Sequence, residues 1–479
     1  MTTAYPEKLQ LHIDGEWVDI GNRGGIDVVN PATGETLSIL PKAEASDLDR
    51  ALDAAARAWP EWHATPVNER AAILHKAAAL MRERAKAIGA LMTLEQGKPL
   101  AQAVGEVMGA AGQLDVMAEE AKRCYGRVLV RQPGENSFVK YQPVGPVAAF
   151  SPWNFPVFTA IRKVAPALAA GCPIILKPAE ETPASPLEMQ RCLVDAGLPA
   201  GVMQTVYGDP AQVSEHLIAS DVIRKISFTG SVPVGKHLIK LAAEGLKRTT
   251  MELGGHAPVL IFDDCDLDKT LDMVTTGKFR NAGQVCVSPT RFYVQQGIYD
   301  AFTKGFAERA AKVSVGDGSE AGVDMGPLAN PRRPDAMARM ISDAKSAGAE
   351  VALGGEQGEA NGGFFYQPTV LTNVPTEAMI MNEEPFGPVA AMQPFATLDE
   401  AIEQANRLPL GLAAYAFTTH LRTANLVGDA IESGMVAINN LTVSPGDAPF
   451  GGVKHSGHGS EDGPDGLKAY MVTKAIHQA

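Results

Sequence analysis

The stretch VGPVAAFSPWNFPVFTAIRKVAPALAAGCPIILK, residues 144–177, decides the fold class. Its first part, VGPVAAF (144–150), is typical of a buried strand, and the loop SPWN follows it. A helix is predicted from Pro156, because proline suits the first helical position, to Gly171, because glycine suits a helix end. PIILK (173–177) is the next strand. A strand, a helix and a second strand in this order predict a parallel βαβ unit.

The alternation continues on the carboxyl side of this stretch. The further elements are a helix over 184–196 that ends at Gly197, a strand at 202–207, a helix after Pro210 and a strand at 222–228. This order predicts a parallel, doubly wound sheet, in which ligands bind beyond the carboxyl ends of the strands.

A less regular alternation after Glu252 predicts a second α/β domain. The expected helices lie near 266–280, 298–312 and 398–407, and the expected strands near 290–295, 368–374, 412–418 and 434–438. The boundary near Glu252 is placed by this change of rhythm, since neither a repeat nor a low-complexity linker marks it.

The composition limits the class of protein. The chain has 479 residues, of which 45% are hydrophobic, and this length suits roughly two to four domains with large cores. The formal net charge is −13. A nucleic-acid partner is therefore not expected, because such a surface needs clustered Lys and Arg.

The cysteines and the hydrophobic segments predict a cytoplasmic protein. The five cysteines are an odd number without a CxxC pair, which argues against a disulfide framework and against a metal site of paired spacing. The beginning, MTTAYPEKLQ, lacks the pattern of a signal peptide. Residues 141–161 are uncharged and long enough to span a bilayer, but their four prolines exclude a continuous transmembrane helix. No membrane association is expected.

GSVPVGK (230–236) has the spacing of a P-loop, follows a predicted strand and opens a predicted helix. The acid-ended strand VLIFDD (259–264) fits the same class of nucleotide triphosphatase. However, His237 follows where a hydroxyl would bind magnesium, and Pro233 removes one backbone N–H from the cradle. A nucleotide triphosphatase is therefore the weaker alternative, and the favoured interpretation is a helix N-terminus that receives an anionic group such as a pyrophosphate. No GxGxxG fingerprint of an ordinary Rossmann domain occurs.

Two residue types suited to acyl chemistry follow. FRNAGQVC (279–286) ends at Cys286, and MELGG (251–255) contains Glu252. A thiol and a carboxylate suggest a nucleophile and a base. A cysteine alone is weak evidence, because most unpaired cysteines are small buried hydrophobic residues.

Taken together, seven motifs resemble the aldehyde dehydrogenase superfamily in the family's own order, over nearly the whole chain. The motifs are PWNFP (152–156), LKPAEETP (176–183), SFTGS (227–231), MELGG (251–255), FRNAGQVC (279–286), EEPFGPV (383–389) and PFGG (449–452). The resemblance implies an α/β fold with a variant Rossmann cofactor domain, a second α/β catalytic domain and a small β oligomerisation arm. The corresponding ranges are 1–121 and 143–251 for the NAD-binding domain, 252–455 for the catalytic domain, and 122–142 with 456–479 for the arm and tail.

The resemblance also implies the catalytic residues. Cys286 is expected to attack the aldehyde carbonyl, while the Asn154 amide and the backbone N–H of Cys286 stabilise the oxyanion. After hydride transfer a thioester is left, and Glu252 activates the water that hydrolyses it. The ordinary alternatives are an asparagine that caps the following helix and a solvated glutamate.

The cofactor contacts are carried over in the same way. Lys177 and Glu180 are expected to bind the adenosine ribose, and the Glu180 carboxylate would repel a 2′-phosphate, so NAD is favoured and NADP is the alternative. A surface acid at a helix start is the ordinary alternative for Glu180. The other expected cofactor residues are Ser151, Pro152, Trp153, Gly230, Ser231, Glu384 and Phe386.

The substrate residues suggest an aldehyde with a distant carboxylate. Arg162 matches an arginine of the succinate semialdehyde and 2-oxoglutarate semialdehyde dehydrogenases, and Arg280 matches a second arginine of the succinate semialdehyde group. An arginine can bind a carboxylate in bidentate fashion. The ordinary alternative for each is a structural ion pair. The expected substrate-binding residues are Phe155, Thr159, Arg162, Arg280 and Phe450.

Two substrate classes and two further functions compete with this interpretation. Family members for 2-oxoglutarate semialdehyde carry an amide near Thr159, whereas Phe158 and Thr159 make this wall less polar. An aromatic or medium-chain aliphatic aldehyde is therefore an alternative. A coenzyme A-acylating enzyme generally lacks the base at Glu252, and a non-catalytic protein has no reason to keep Cys286, Glu252, Asn154 and Lys177 together.

The expected partners are a small aldehyde and further copies of the chain. KRCYGRVLVRQPG, within the predicted arm, and LKAYMVTKAI (467–476) are typical of strands with open edges. The resemblance implies a homodimer or a homotetramer.

Overall fold

The computed structural model describes residues 4–358 and 362–478, so the first three residues of MTTAYPEKLQ lie outside the described part. Two short hairpins and three long helices form the first 122 residues. They are β1 (Leu11–Ile13), β2 (Glu16–Val18), β3 (Gly25–Val29), β4 (Thr36–Pro41), α1 (Ala45–Ala64), α2 (Val67–Gln96) and α3 (Leu100–Lys122).

The turn between α2 and α3 brings a later part of the chain close. Gly97 ends α2 with a left-handed φ of 94°, and Pro99 precedes the first residue of α3. A Cβ on Gly97 would lie 2.7 Å from the ring of Pro327. The glycine therefore permits both the turn and the close contact.

The doubly wound sheet follows β5 (Arg127–Leu129) and β6 (Asn136–Pro143). Its elements are β7 (Val147–Phe150), α4 (Phe158–Ala170), β8 (Ile174–Lys177), α5 (Ala184–Ala196), β9 (Met203–Thr205), α6 (Pro210–Ala219), β10 (Lys225–Gly230), α7 (Val232–Glu244) and β11 (Arg248–Leu253). The strand order is β2-β1-β9-β8-β7-β10-β11-β21, in which β21 (Gly457–His458) comes from the end of the chain and β7 to β11 are parallel to one another. The four predicted strands and the helices between them are confirmed.

The first predicted helix begins later than expected, at Phe158 instead of Pro156. The buried Glu106 carboxylate on α3 accepts hydrogen bonds from the backbone N–H groups of Val157 (2.9 Å) and Phe158 (3.1 Å). A side chain from another helix thus caps this N-terminus, and PWNFP is left as a loop.

A second sheet has the order β14-β15-β16-β13-β12-β18-β19. The elements of this part are β12 (Ala257–Ile261), α8 (Leu267–Phe279), β13 (Pro289–Gln295), α9 (Tyr299–Ala310), α10 (Arg332–Ala347), β14 (Glu350–Leu353), β15 (Thr369–Thr372), β16 (Val389–Phe395), α11 (Leu398–Asn406), β17 (Leu410–Gly411), β18 (Ala413–Phe417), α12 (Leu421–Ala430) and β19 (Met435–Ile438). The helices and strands predicted here are present, and the change of sheet falls between Leu253 and Ala257.

The last described residues return to earlier parts of the chain. They form β20 (Val453–Lys454), β21 (Gly457–His458), α13 (Gly463–Lys468) and β22 (Met471–Gln478). Strand β21 pairs with β11, and β22 pairs with β6 along its full length in the sheet β22-β6-β5. Within the described residues, no helix has the length and the hydrophobicity that a membrane span requires.

Candidate active site

A cavity of about 740 Å³ opens where the carboxyl ends of the first sheet meet the second. Most of the site residues that the sequence predicted line it, namely Pro152, Trp153, Asn154, Phe155, Thr159, Arg162, Gly230, Ser231, Glu252, Arg280, Cys286, Glu384, Phe386 and Phe450. Ser151, Lys177 and Glu180 do not line this cavity. They lie at the same edge of the sheet, because Ser151 follows β7, Lys177 is the last residue of β8 and Glu180 follows that strand.

A tight turn places Cys286. Asn281, Ala282 and Gly283 all have left-handed backbone angles, with φ values of 49°, 52° and 70°. A Cβ on Gly283 would lie 2.1 Å from the carbonyl oxygen of Gly387, so the loop can approach EEPFGPV only with glycine at this position. Such strained turns cost free energy and are common at functional sites.

The thiol of Cys286 is half-buried and protonated at rest. Burial, with a smaller contribution from the nearby Glu384, raises its pKa to about 12, although Arg162 opposes the shift. The nucleophile therefore has to lose its proton during the reaction.

Asn154 is held with its amide towards the loop of Cys286. Its Nδ2 donates to the backbone carbonyl of Gln284 (3.0 Å), which leaves its second N–H available. The backbone carbonyl of Asn154 accepts from Lys98 Nζ (2.7 Å) and from Asn281 Nδ2 (3.0 Å). These contacts fix the position of the donor before any substrate binds.

Lys98 and Glu106 support this arrangement, and the sequence analysis missed both. Their side chains form a buried ion pair of 2.5 Å, and Lys98 lies 4.0 Å from the centre of the Phe155 ring. Lys98 holds the carbonyl of Asn154 while Glu106 caps α4. The two residues lie about fifty positions before PWNFP, so no local pattern connects them with that loop.

Glu252 lies on β11, opposite Thr229 of β10 and Gly457 of β21. Both carboxylate oxygens are buried, and neither has a hydrogen-bond partner among the described residues. Burial raises the pKa of Glu252 well above its ordinary value, and the charge of Glu461 adds to this. Lys163, which pairs with Glu461, opposes the shift. Among the described residues, this carboxyl group thus forms no hydrogen bond that would give it a structural role.

The edge beyond β8 and β10 suits a dinucleotide. Lys177 and Glu180 form an ion pair of 2.5 Å, and Glu180 also accepts from the backbone N–H of Gly208 (3.3 Å). Ser231 precedes α7 without a hydrogen bond from its own side chain to the helix, so the first N–H groups are available to an anion. This helix start is the segment with P-loop spacing.

Glu384 and the aromatic rings of Trp153 and Phe386 line the same cavity. Glu384 accepts from the backbone N–H of Gly255 (3.3 Å), and burial raises its pKa to about 8. Trp153 meets Phe386 edge to face, with ring centres 5.5 Å apart. The carboxyl group of Glu384 thus lies near an apolar aromatic surface. This arrangement suits a ligand in which a ribose is attached to an aromatic ring.

The two predicted anion-binding arginines differ in their surroundings. Arg162 is buried and forms an ion pair with Asp462 (2.8 Å), donates to the Ser444 hydroxyl and lies 3.8 Å from the centre of the Phe450 ring. Arg280 is exposed and forms no ion pair within the described residues. The structural ion pair considered from the sequence is thus present for Arg162.

Aromatic residues make up much of the wall beside these arginines. Phe155, Phe158 and Phe450 line the cavity. The hydroxyl of Thr159 donates to the backbone carbonyl of Phe155 (2.8 Å), so its proton is already engaged. Within the described residues, no cluster of three or more His, Cys, Asp or Glu side chains could hold a metal ion.

Comparisons with known proteins agree with this site. The profile of the aldehyde dehydrogenase family matches residues 17–476. A putative 4-(hydroxymethyl)benzenesulfonate dehydrogenase of Comamonas testosteroni is 48% identical over 100% of this chain and 99% of its own. The NADP(+) succinate-semialdehyde dehydrogenase of Escherichia coli is 44% identical over 97% and 96%. Betaine aldehyde dehydrogenase of Staphylococcus aureus in complex with NAD+ is 32% identical, with a TM-score of 0.96 over 100% and 96%.

The similarity covers both sheets and the last strand of the chain. It confirms the fold class predicted from the sequence, an α/β fold with a variant Rossmann domain and a second α/β domain.

Proposed function

The chain belongs to the aldehyde dehydrogenase family, and from this we propose that Cys286, Asn154 and Glu252 oxidise an aldehyde to a carboxylic acid with NAD(P) as the oxidant. The enzyme class itself, an NAD(P)-dependent aldehyde dehydrogenase, is confirmed. One observation carries the assignment of residues. The thiol, the prepositioned amide and the unpartnered carboxylate line a single cavity at the carboxyl edge of the sheet.

Cys286 gives its thiol proton to water and adds as the thiolate to the carbonyl carbon, so that the C–S bond forms as the C=O π bond breaks. The negative charge on oxygen is stabilised by the free N–H of Asn154 and by the backbone N–H of Cys286. Bound NAD(P) supplies the acceptor for the hydride that the substrate carbon loses, and a thioester on Cys286 is left.

Glu252 then removes a proton from water, which attacks the thioester and releases the acid. The absence of partners for both its oxygens, within the described residues, supports this role, because a carboxylate engaged in structural hydrogen bonds would be a weaker base. The same base disfavours transfer of the acyl group to coenzyme A.

The cofactor residues proposed here fit a dinucleotide along the sheet edge. Lys177 and Glu180 bind the adenosine ribose, the start of α7 at Gly230 and Ser231 binds the pyrophosphate, and Glu384 binds the second ribose. The remaining residues of this surface are Ser151, Pro152, Trp153 and Phe386. The carboxylate of Glu180 favours NAD, although its pairing with Lys177 weakens the repulsion of a 2′-phosphate.

The cofactor preference has a direct test. Glu180→Gln should raise kcat/KM for NADP relative to NAD by about tenfold. The neighbouring substitution Glu181→Gln is the matched control and should leave the ratio unchanged. An unchanged ratio in Glu180→Gln would remove Glu180 from the cofactor site.

We propose a substrate with an anionic group at its far end, and the leading candidate is a semialdehyde such as succinate or 2-oxoglutarate semialdehyde. Arg280 supports this, because it lines the cavity as an exposed cation that forms no ion pair within the described residues. The name of the relative from Escherichia coli, at 44% identity, agrees with an ω-carboxylated aldehyde.

An anionic aromatic aldehyde is the second candidate. The rings of Phe155, Phe158 and Phe450 support it, since an aromatic ring packs well against other rings. The relative from Comamonas testosteroni, named for a benzenesulfonate, supports it as well. A sulfonate and a carboxylate present similar oxygen atoms to an arginine.

The substrate experiment measures NADH production with succinate semialdehyde, 2-oxoglutarate semialdehyde, 4-formylbenzenesulfonate, benzaldehyde and hexanal, with and without coenzyme A. Arg280→Leu should raise KM for the anionic aldehydes by about tenfold or more and leave the uncharged ones nearly unchanged. Arg339→Leu, an exposed arginine on α10, is the control. Equal effects on both classes would reject the anionic substrate.

The assembly and the location are also proposals. The exposed residues Tyr125, Val128 and Val130 accompany the edge strand β5, which suits pairing with another copy in a dimer or tetramer. Five free cysteines suit a reducing cytoplasm. Light scattering with Val128→Lys would test the assembly, since a charge there should weaken it.

A further inference from the structure

Asp462 has an unusual backbone conformation. Its φ and ψ angles are 57° and 164°, in a region that is essentially restricted to glycine. Its side chain is fully buried. A non-glycine residue in this region is strained and persists only when its surroundings require it.

The contacts of Asp462 explain what holds it there. Its Oδ2 accepts from Arg162 Nη2 (2.8 Å) and from the Ser444 hydroxyl (3.0 Å). Its Oδ1 is buried and has no partner among the described residues. Arg162 and Ser444 line the cavity, whereas Asp462 does not. The carboxylate thus lies behind the wall and acts on the cavity through these two side chains.

The charge of Asp462 offsets that of Arg162. When two opposite charges are in contact, their electric fields largely cancel at the position of a third charge. The pair of Arg162 and Asp462 therefore attracts a substrate anion much less than Arg162 would alone. A substrate anion near Arg162 would also meet the nearby carboxylate, which repels it. Ser444 donates its own proton to Asp462, so this donor is engaged too.

We propose that Asp462 sets the charge selectivity of the substrate cavity: by pairing with Arg162 it weakens binding of an anion there and leaves Arg280 as the principal anion site. Asp462 is thus a positioning residue, not a catalytic one. The inference rests on the proposed function in one respect, that the cavity between these arginines is the one that takes the aldehyde.

The experiment compares the wild type with Asp462→Asn on two aldehydes of similar length, succinate semialdehyde and butanal. The ratio of kcat/KM for the anionic to the uncharged aldehyde should rise by about tenfold or more in the variant, through a lower KM for succinate semialdehyde. The kcat and the KM for butanal should change little. Asp447→Asn, at an exposed position of the neighbouring loop, removes the same charge and should leave the ratio unchanged.

Two further variants test whether loss of the Asp462 charge causes the rise in the ratio of kcat/KM. Asp462→Gly relieves the backbone strain and should raise the ratio in the same direction, which guards against misfolding of the asparagine variant. The double variant Arg162→Leu with Asp462→Asn should not show the rise in the ratio of kcat/KM, because the arginine that Asp462 neutralises is gone.

An unchanged or lower ratio in both single variants would overturn the inference, because Asp462 would then orient Arg162 for binding instead of neutralising it. A different set of results would contradict the proposed function. If the wild type does not prefer anionic aldehydes and Arg280→Leu has no selective effect, the substrate class is wrong, while a gain in Asp462→Asn still supports the role of Asp462.

Discussion

Glu95 near the end of α2 and Glu252 near the end of β11 are both shielded from water, but their surroundings differ. Glu95 accepts four hydrogen bonds, from Tyr5 Oη (2.6 Å), Ala184 N (2.8 Å), Ser185 N (2.9 Å) and Ser185 Oγ (2.6 Å). Glu252 has no partner for either oxygen among the described residues. The carboxylate of Glu95 thus connects three segments of the chain, whereas the carboxylate of Glu252 accepts no hydrogen bond from the described residues.

The difference distinguishes a structural acid from a reactive one. A buried polar group without a partner destabilises the folded protein, so its retention needs a reason. For Glu95 the hydrogen bonds are the reason, because they join the first residues of the chain to the start of α5. For Glu252 the proposed reason is the water that it activates.

The largest expected effect concerns the thiol beside Glu252. Cys286→Ala should reduce aldehyde oxidation to the background rate, since no other group forms the covalent intermediate. Cys265→Ala, also a half-buried cysteine, is the control and should keep full activity. NADH production measures both, and activity left in Cys286→Ala would exclude the covalent route.

The second largest effect is expected when the carboxylate of Glu252 is removed. Glu252→Gln should lower kcat by about 10²- to 10⁴-fold, because water then attacks the thioester without a base. A burst of NADH should precede the slow phase, and mass spectrometry should detect an acyl group on Cys286. The unfolding temperature of the Glu252→Gln variant should not fall, since the substitution removes no hydrogen bond. A parallel loss of stability would show that Glu252 is structural, like Glu95.

The pH dependence of the reaction should follow the site groups and not Glu95. Burial raises the pKa of Cys286 to about 12 and that of Glu252 above its ordinary value, and both react in the deprotonated form. The value of kcat/KM should therefore rise with pH, by up to about tenfold per unit where one proton is lost. Glu95→Gln should show the same profile. A flat profile in the wild type would mean that these groups are already deprotonated in the enzyme–cofactor complex before the aldehyde binds.

The smallest effect is that of Glu95→Gln on stability. The amide group faces N–H donors, so the variant should lose about 1–3 kcal/mol of unfolding free energy while kcat stays unchanged. Glu83→Gln, exposed on the same helix, is the control. Burial raises the pKa of Glu95 to about 7, so its contribution should decrease as pH rises from about 4.5 to about 7, and this part of the slope should be absent from the variant. Thermal unfolding at several pH values measures both.

The sequence predicted the sheet elements well because they are short buried runs that end at proline or glycine. PIILK and VMQTVY are examples, and both became parallel neighbours. The three long helices α1 to α3 were not predicted. For α2 the physical reason is that it is buried on several sides and lacks a single apolar face. Helix α1 has one buried apolar face, so its pattern was present in the sequence and was overlooked. The start of α4 was misplaced because its cap, Glu106, comes from another helix.

The candidate site was predictable where one motif carries both the residue and its place in the fold, as for Cys286 and Glu252. It was not predictable where the contact depends on tertiary packing. Arg162 and Asp462 are three hundred positions apart, and the backbone angles of Asp462 have no local signature. The pairing could only be found from the structure.

The return of the last strands has a consequence for biosynthesis. Residues 471–478 pair with 136–143, and Gly457 pairs with Glu252 on β11. A nascent chain whose residues 457–478 are still inside the ribosome has an incomplete arm, an open edge beside Glu252, and neither Glu461 nor Asp462 in place. Strands β7 to β11 are synthesised long before residues 457–478, so the candidate cavity is completed only after these last strands have been made.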